Sequence, residues 1–217
     1  MALETDLRLT RDRHIVLHHD VSLARLASID ASVADMTRAE LSDVVLRANG
    51  ATGRLLFLDQ FLREFPGCSW TFDIKPEGAT ETIRALHEWA LKKGLFDWIL
   101  AQSKFVLWHE SHENFLLSLF PKALCYAREA ECWRAGMWAL LGLSQFSRLK
   151  SDRVYSLPPR IGPIPLYRKA LIQRFHRHGA RILAFLPEAD EDVRAACVAG
   201  VDEILTNGLP KMELVSG

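Results

Sequence analysis

Two short apolar runs near the amino terminus, residues 7–9 and 15–17, are joined only by Thr10-Arg11-Asp12-Arg13 and the residue after it. A parallel crossover needs a dozen or more residues. The two runs can therefore pair only as an antiparallel hairpin. Folding the chain about Asp12 and Arg13 predicts that Asp6 lies opposite His19. Glu4 and Asp6 are two apart, so on a strand they share a face. The hairpin is thus expected to gather two carboxylates and an imidazole at one end. That grouping suits a hard divalent cation held by oxygen ligands, with a histidine beside it for proton transfer. The plainer alternative is a solvated strand face followed by a surface His-His-Asp run.

Downstream, the pattern alternates. Residues 36–46 read as a short helical or turn region, with Thr37 and Glu40 spaced as a capping pair. Residues 49–53 read as a loop, and 58–65 as a helix stopped by Pro66-Gly67. Residues 70–74 read as a strand. Residues 80–93 form the clearest helix, with Ile83, Leu86 and Ala90 at helical spacing and Gly94 at its end. Residues 98–101 are predicted as a strand, 113–119 as a helix and 123–127 as a strand. After a proline-rich segment, residues 158–165, the order is helix 171–177, strand 181–186, helix 191–199 and strand 203–206. Such alternation predicts an α/β fold with a parallel sheet.

Length and charge narrow the function classes. A chain of 217 residues suits a single domain, here expected to span residues 1–217. Lys plus Arg and Asp plus Glu both number 27, so no overall basic footprint for nucleic acid exists. No apolar run approaches the ~20 residues of a membrane span, and residues 1–8 do not read as a secretory signal. The four cysteines (Cys68, Cys125, Cys132 and Cys197) include no C-x-x-C pair. Reduced thiols and a cytoplasmic location are the expectation, with Cys197 read as a core residue of its helix.

Several short motifs, in order, resemble one family. Leu3-Glu4-Thr5-Asp6, Thr10-Arg11-Asp12 and His19-Asp20-Val21-Ser22-Leu23-Ala24-Arg25 are similar to the E-x-D, T-x-D-G and H-D-x-x-L-x-R segments of the glycerophosphodiester phosphodiesterases. Leu58-Asp59-Gln60-Phe61-Leu62 resembles the family's L-x-E-x-L helix start, and Phe72-Asp73-Ile74-Lys75 its I-E-x-K strand. Ala101-Gln102-Ser103-Lys104-Phe105 resembles its S-F strand end, and Phe175-His176-Arg177-His178-Gly179 its A-H-x-x-G. Residues 200–207, Gly-Val-Asp-Glu-Ile-Leu-Thr-Asn, resemble its terminal G-V-D-x-I-x-T-D. The departures are specific. Asp73 stands for a glutamate, Arg13 for the turn glycine, and Phe185-Leu186-Pro187-Glu188 for W-T-V-N.

The resemblance implies a TIM (β/α)₈-type barrel. The predicted strands fall about one short of eight, and the chain is shorter than the ~250 residues usual for that fold. The family's opening H-R-G strand and E-N-T helix have no match, so the barrel is expected to lack its first βα unit. The resemblance also implies hydrolysis of glycerophosphodiesters to an alcohol and glycerol 3-phosphate, with a divalent cation, Mg²⁺ or Ca²⁺, as cofactor. Glu4, Asp6 and Asp73 are then the expected metal ligands. His19 is the expected acid–base group and the counterpart of one of the family's two histidines, which predicts a weakened enzyme. Lys75 is expected to stabilise phosphoryl charge and bind substrate, with Trp133 and Phe185 as further substrate contacts. A phospholipase C-like lyase and a non-catalytic or fragmentary relative that binds a phosphodiester or a partner subunit are the competing readings, and a homo-oligomer is possible. The remaining histidines read as structural: His109 and His112 lack the H-E-x-x-H step, His176 and His178 close a helix, and His18 faces away from His19.

Overall fold

The amino-terminal hairpin forms, and it is tied down at its turn. Strands β1 (Ala2–Leu9) and β2 (Ile15–Leu17) pair antiparallel, with Leu7 opposite Leu17 and Leu9 opposite Ile15. The Thr10 N–H donates to the His14 carbonyl and the Arg13 N–H to the Thr10 carbonyl. Arg13 takes φ +64°, the left-handed conformation that a glycine adopts freely. The turn is thus centred on Asp12 itself, and the register is one residue tighter than predicted. Beyond the last strand pair, the His18 N–H donates to the Asp6 carbonyl at 3.1 Å. Asp6 therefore faces His18 along the backbone, and the expected Asp6–His19 pairing is corrected.

The computed structural model describes residues 2–151 and 153–207. They form two compact units, which divide between Cys125 and Tyr126. In the first unit the hairpin is followed by α1 (Ala24–Ala27), α2 (Arg38–Ser42), β3 (Val45–Ala48), β4 (Ala51–Arg54) and α3 (Leu58–Glu64). Then come β5 (Ser69–Ile74), α4 (Ala79–Lys93), α5 (Phe96–Gln102), β6 (Ser103–Val106), α6 (Glu110–Leu119) and β7 (Leu124–Cys125). The main sheet has the order β2-β1-β5-β6-β7, parallel throughout except for the hairpin edge.

Alternation along β5 sorts its residues. Trp70, Phe72 and Ile74 are almost wholly buried and join Leu7, Ile83, Leu86, Phe105 and Phe120 in one apolar core. Thr71, Asp73 and the following Lys75 lie on the other face, with Glu4, Asp6 and Arg8 of β1 beside them by register. Burying a Phe- or Leu-sized side chain contributes about 1.5–3 kcal/mol, so the apolar face fixes the register and with it the position of every polar side chain opposite. A second cluster, which includes Val16, Leu23, Leu41 and Phe57, packs under the other side of the hairpin.

Local signals act as expected in α2 and α4. Thr37 and Glu40 form a reciprocal capping box at the start of α2. Ile83, Leu86 and Ala90 are fully buried along α4, and Gly94 ends it at φ +66°. Two expectations fail. Residues 98–101 belong to helix α5, not a strand, with Ile99 wholly buried. A four-residue apolar run has no period that separates strand from helix. Its true strand, β6, begins at Ser103, so Ser103 opens a strand where the motif reading placed it at a strand end. Residues 49–53 are not a loop either: Asn49 and Gly50, at φ +50° and +78°, make the two-residue turn of the β3–β4 hairpin.

The second unit comprises α7 (Glu129–Leu140), β8 (Val154–Leu157), β9 (Arg160–Ile161), β10 (Ile164–Pro165), α8 (Lys169–His176), β11 (Arg181–Phe185), α9 (Asp190–Ala199) and β12 (Glu203–Leu205). Its parallel sheet runs β12-β11-β8. Tyr155, Ile172, Phe175, Ile182 and Ala196 form its core. Cys197 is exposed, a correction: α9 buries Val193, Ala196 and Ala199, and position 197 turns off that stripe. Asp202 accepts from the Ile182 N–H at 2.7 Å and from His176 Nε2 at 3.0 Å. Among the described residues, no helix is long and apolar enough to cross a membrane.

Candidate metal and phosphate site

The polar face of the first unit's sheet carries the site. Asp6 and Asp73 are direct partners across the parallel β1–β5 ladder, and Glu4 lies two residues before Asp6. One carboxylate oxygen from each of Glu4, Asp6 and Asp73 lies within 4.8 Å of the others. Asp6 and Asp73 lie toward the carboxyl end of this parallel ladder, and Glu4, opposite Thr71, lies two residues behind them.

Lys75 continues this face past the end of β5. Its Nζ sits 2.7 Å from Asp6 Oδ1 and 2.7 Å from Asp73 Oδ2, and its side chain is only 6% exposed. Burial works to lower the ammonium's pKa, but the two carboxylate partners outweigh it and hold the group above its ordinary value. Glu4 is driven the other way. Its residue is open to solvent along one side, yet its carboxyl is crowded by protein atoms. Desolvation, then Asp6 and Asp73, push it up to about 7, against the pull of Lys75. Three acids facing one ammonium leave an excess of negative charge. An all-oxygen donor set of this kind fits a hard divalent cation, and the crowded Glu4 carboxyl is the physical sign that positive charge is under-supplied.

The indole of Trp108 completes the cluster. Val106 pairs with Asp73, and Trp108 lies two residues further on, so it returns to the same face. Its Nε1–H donates to Asp73 Oδ1 at 2.8 Å, and Lys75 Nζ lies 5.4 Å from the centre of its ring. Trp108 is half exposed. A strand placed at residues 98–101 ends too early to carry residue 108 onto this face. With β6 at Ser103–Val106, alternation alone finds it.

The two adjacent histidines divide. His18 is buried, and its Nε2 donates to the Ser22 carbonyl at 3.1 Å. His19 is outside the strand, with a side chain 66% exposed, and its Nδ1 bonds Asp20 Oδ1 at 2.8 Å. Its ring thus pairs with Asp20 and not with the three acids. Asp20 also receives Arg25 Nε at 2.6 Å, and these two donors, Arg25 first, pull its carboxyl down to about 2. An ionised Asp20 on Nδ1 fixes the tautomer that leaves Nε2 free as a proton acceptor. Leu23 is fully buried and Arg25 is paired with Asp20, so the H-D-x-x-L-x-R segment reads physically as an exposed imidazole, the carboxylate that orients it, a core anchor and a clamp. Arg8 secures the segment: its Nε and NH2 donate to the His19 carbonyl at 3.1 and 2.7 Å, while NH1 pairs with Glu77.

Trp133 and Phe185 both belong to the second unit and are exposed there, Trp133 on α7 and Phe185 at the carboxyl end of β11.

Residues 1–209 match the family model described as the glycerophosphoryl diester phosphodiesterase family. The chain is 24% identical over 222 residues to a Mycobacterium tuberculosis protein named Probable glycerophosphodiester phosphodiesterase 2, covering 94% of this chain and 75% of that protein. Among solved structures it is similar to a glycerophosphoryl diester phosphodiesterase domain from Mycobacterium tuberculosis, with a TM-score of 0.76 at 14% identity, covering 94% of this chain and 83% of that one. A glycerophosphoryl diester phosphodiesterase from Parabacteroides distasonis gives a TM-score of 0.67 at 20% identity, over 94% and 71% of the two chains. The fold is α/β, of the TIM-barrel type these structures share.

Proposed function

Because this chain belongs to the glycerophosphoryl diester phosphodiesterase family, we propose that it hydrolyses glycerophosphodiesters to an alcohol and glycerol 3-phosphate, with a divalent cation as cofactor. The observation that carries this reading is the convergence of Glu4, Asp6 and Asp73, with ligand oxygens within 4.8 Å, around the Lys75 ammonium.

In this reading Glu4, Asp6 and Asp73 hold Mg²⁺ or Ca²⁺. The bound cation would neutralise phosphate charge and help to activate water. Lys75 keeps a positive charge on the same face and stabilises negative charge building on the phosphoryl oxygens. His19, oriented by Asp20, moves a proton at Nε2 between the attacking or leaving oxygen and solvent. His18 is not available for a second such role, since its ring is buried on the Ser22 carbonyl. With His19 alone serving as acid and base, we expect turnover to be weak, by the ~10²–10⁴-fold that a second general acid–base group supplies. Trp133 and Phe185 are proposed as further substrate-binding residues. The family match across residues 1–209 supports treating both units as parts of one domain.

The test is release of glycerol 3-phosphate and choline from glycerophosphocholine by the purified protein, with Mg²⁺, with Ca²⁺ and with EDTA. Slow hydrolysis that EDTA abolishes, and that D6N and H19A each remove, supports the reading. A cyclic phosphate product would overturn hydrolysis in favour of a lyase. Substrate binding without turnover would assign the chain to non-catalytic binding.

A further inference from the structure

Asp73 is one methylene shorter than the glutamate common at its place in the family motif, and its carboxylate is held from two sides. Lys75 Nζ takes Oδ2 at 2.7 Å, and the Trp108 indole takes Oδ1 at 2.8 Å. We propose that Trp108 is a positioning residue: its N–H fixes the plane of the Asp73 carboxylate so that this short side chain presents a lone pair to a divalent cation shared with Glu4 and Asp6. The proposal rests on the metal reading given above and deepens it.

Three features make the indole suited to this task. First, it is a donor only, so it can engage the ionised carboxylate without competing for the cation or adding charge. A lysine or arginine in its place would add a positive charge that repels the ion. Second, the indole is rigid, and its N–H direction is set once the ring is placed. The ring is placed by its position directly after β6 and before α6, with Leu107 on one side buried in the core. Third, each carboxylate oxygen has two lone-pair directions. Engaging each oxygen once, from opposite sides, stops rotation of the group while leaving acceptor capacity free on both. Lys75 alone cannot achieve this, since its ammonium is shared with Asp6 and can follow either partner.

Trp108 is half exposed, with its indole N–H engaged on Asp73 rather than left to solvent. Groups that orient a metal ligand in this way generally account for 10–100-fold in metal affinity. The geometry assigns that share to one hydrogen bond, at a residue outside every motif of the E-x-D and E-x-K type.

The experiment is calorimetric titration of the metal-free full chain with Mg²⁺, Ca²⁺ and Mn²⁺, for the wild type, W108F and W108Q, alongside thermal unfolding of each in EDTA. W108F keeps the ring and loses the donor; W108Q loses the ring and keeps a donor. The expected result is that W108F binds cation about 10–100-fold more weakly with its unfolding temperature in EDTA unchanged, and that W108Q recovers part of the loss. Cation affinity in W108F equal to wild type overturns the positioning role and leaves the metal site standing. A loss shared equally by both variants, with lowered stability in EDTA, refers the effect to ring packing and also overturns it. A wild type that binds no cation at millimolar concentration overturns the metal reading itself, and the positioning role with it.

Discussion

Replacing Lys75 by methionine removes the one ammonium that holds two carboxylates together. Met retains most of the buried stem and deletes the charge, so the change isolates electrostatics from packing. Lys75 is 6% exposed at its side chain, against 22% for Asp6 and 11% for Asp73. Breaking a fully buried pair by removing one partner costs about 3–5 kcal/mol, because the surviving charge is left uncompensated. The acids here keep some contact with water, which relieves part of that cost. A loss of about 2–4 kcal/mol is therefore expected in the metal-free protein. For a chain of this length that corresponds to a fall of roughly 10 °C in unfolding temperature, at 2–4 °C per kcal/mol. A divalent cation can supply the missing positive charge. At a hundred times its dissociation constant, it returns about 2.7 kcal/mol by mass action. The assay is thermal unfolding of wild type and K75M in EDTA, then across a Mg²⁺ or Ca²⁺ series. K75M should be strongly destabilised in EDTA, and should gain more from added cation than the wild type. A K75M protein as stable in EDTA as the wild type would refute the electrostatic account, as would a large loss that no cation relieves.

Glu4 gives a pH dependence of definite sign. Its folded pKa, about 7, lies above its ordinary value of 4.5, so the folded state holds a proton that the unfolded chain releases. The associated stability is fully present below pH 4.5 and is lost as pH rises through about 7. In EDTA, urea unfolding of the wild type should weaken across that window, and E4Q should flatten the profile. A wild-type profile as flat as that of E4Q would contradict this placement of the carboxyl. Arg13→Gly should raise stability by about 1 kcal/mol, since it removes a left-handed non-glycine residue at the expense of one exposed pair with Glu88. A lower urea midpoint for that variant would show that the turn is not strained.

The acids and the ammonium were legible because they depend on two robust periods. Glu4 and Asp6, and likewise Asp73 and Lys75, are two apart, and the buried apolar residues that flank or alternate with them, Leu7, Phe72 and Ile74, leave only one face for the polar set. The motif resemblance joined the two strands, which spacing within either one could not do. His19 was harder. Its predicted partner depended on the centre of a turn, and a single left-handed residue, Arg13, moved that centre by half a residue pair. The Trp108 contact was hidden for a related reason. The run Trp98-Ile99-Leu100-Ala101 is apolar enough for a strand, and only its packing in α5 decides that it is helical. Asn49-Gly50 carried a hairpin signal, but the flanking strands β3 and β4 are nearly all exposed, so no apolar alternation accompanied it.

Arg8 links the amino-terminal acids to His19. It sits on the same strand as both amino-terminal acids and grips the peptide carbonyl of His19. Glu4, Asp6 and His19 are therefore tied through Arg8 into one cassette: a shear of β1 against β5 would shift acids and imidazole in step and change their spacing to Asp73, Lys75 and Trp108. Tuning this centre by engineering should target that seam between neighbouring strands, where the two halves of the acidic cluster meet.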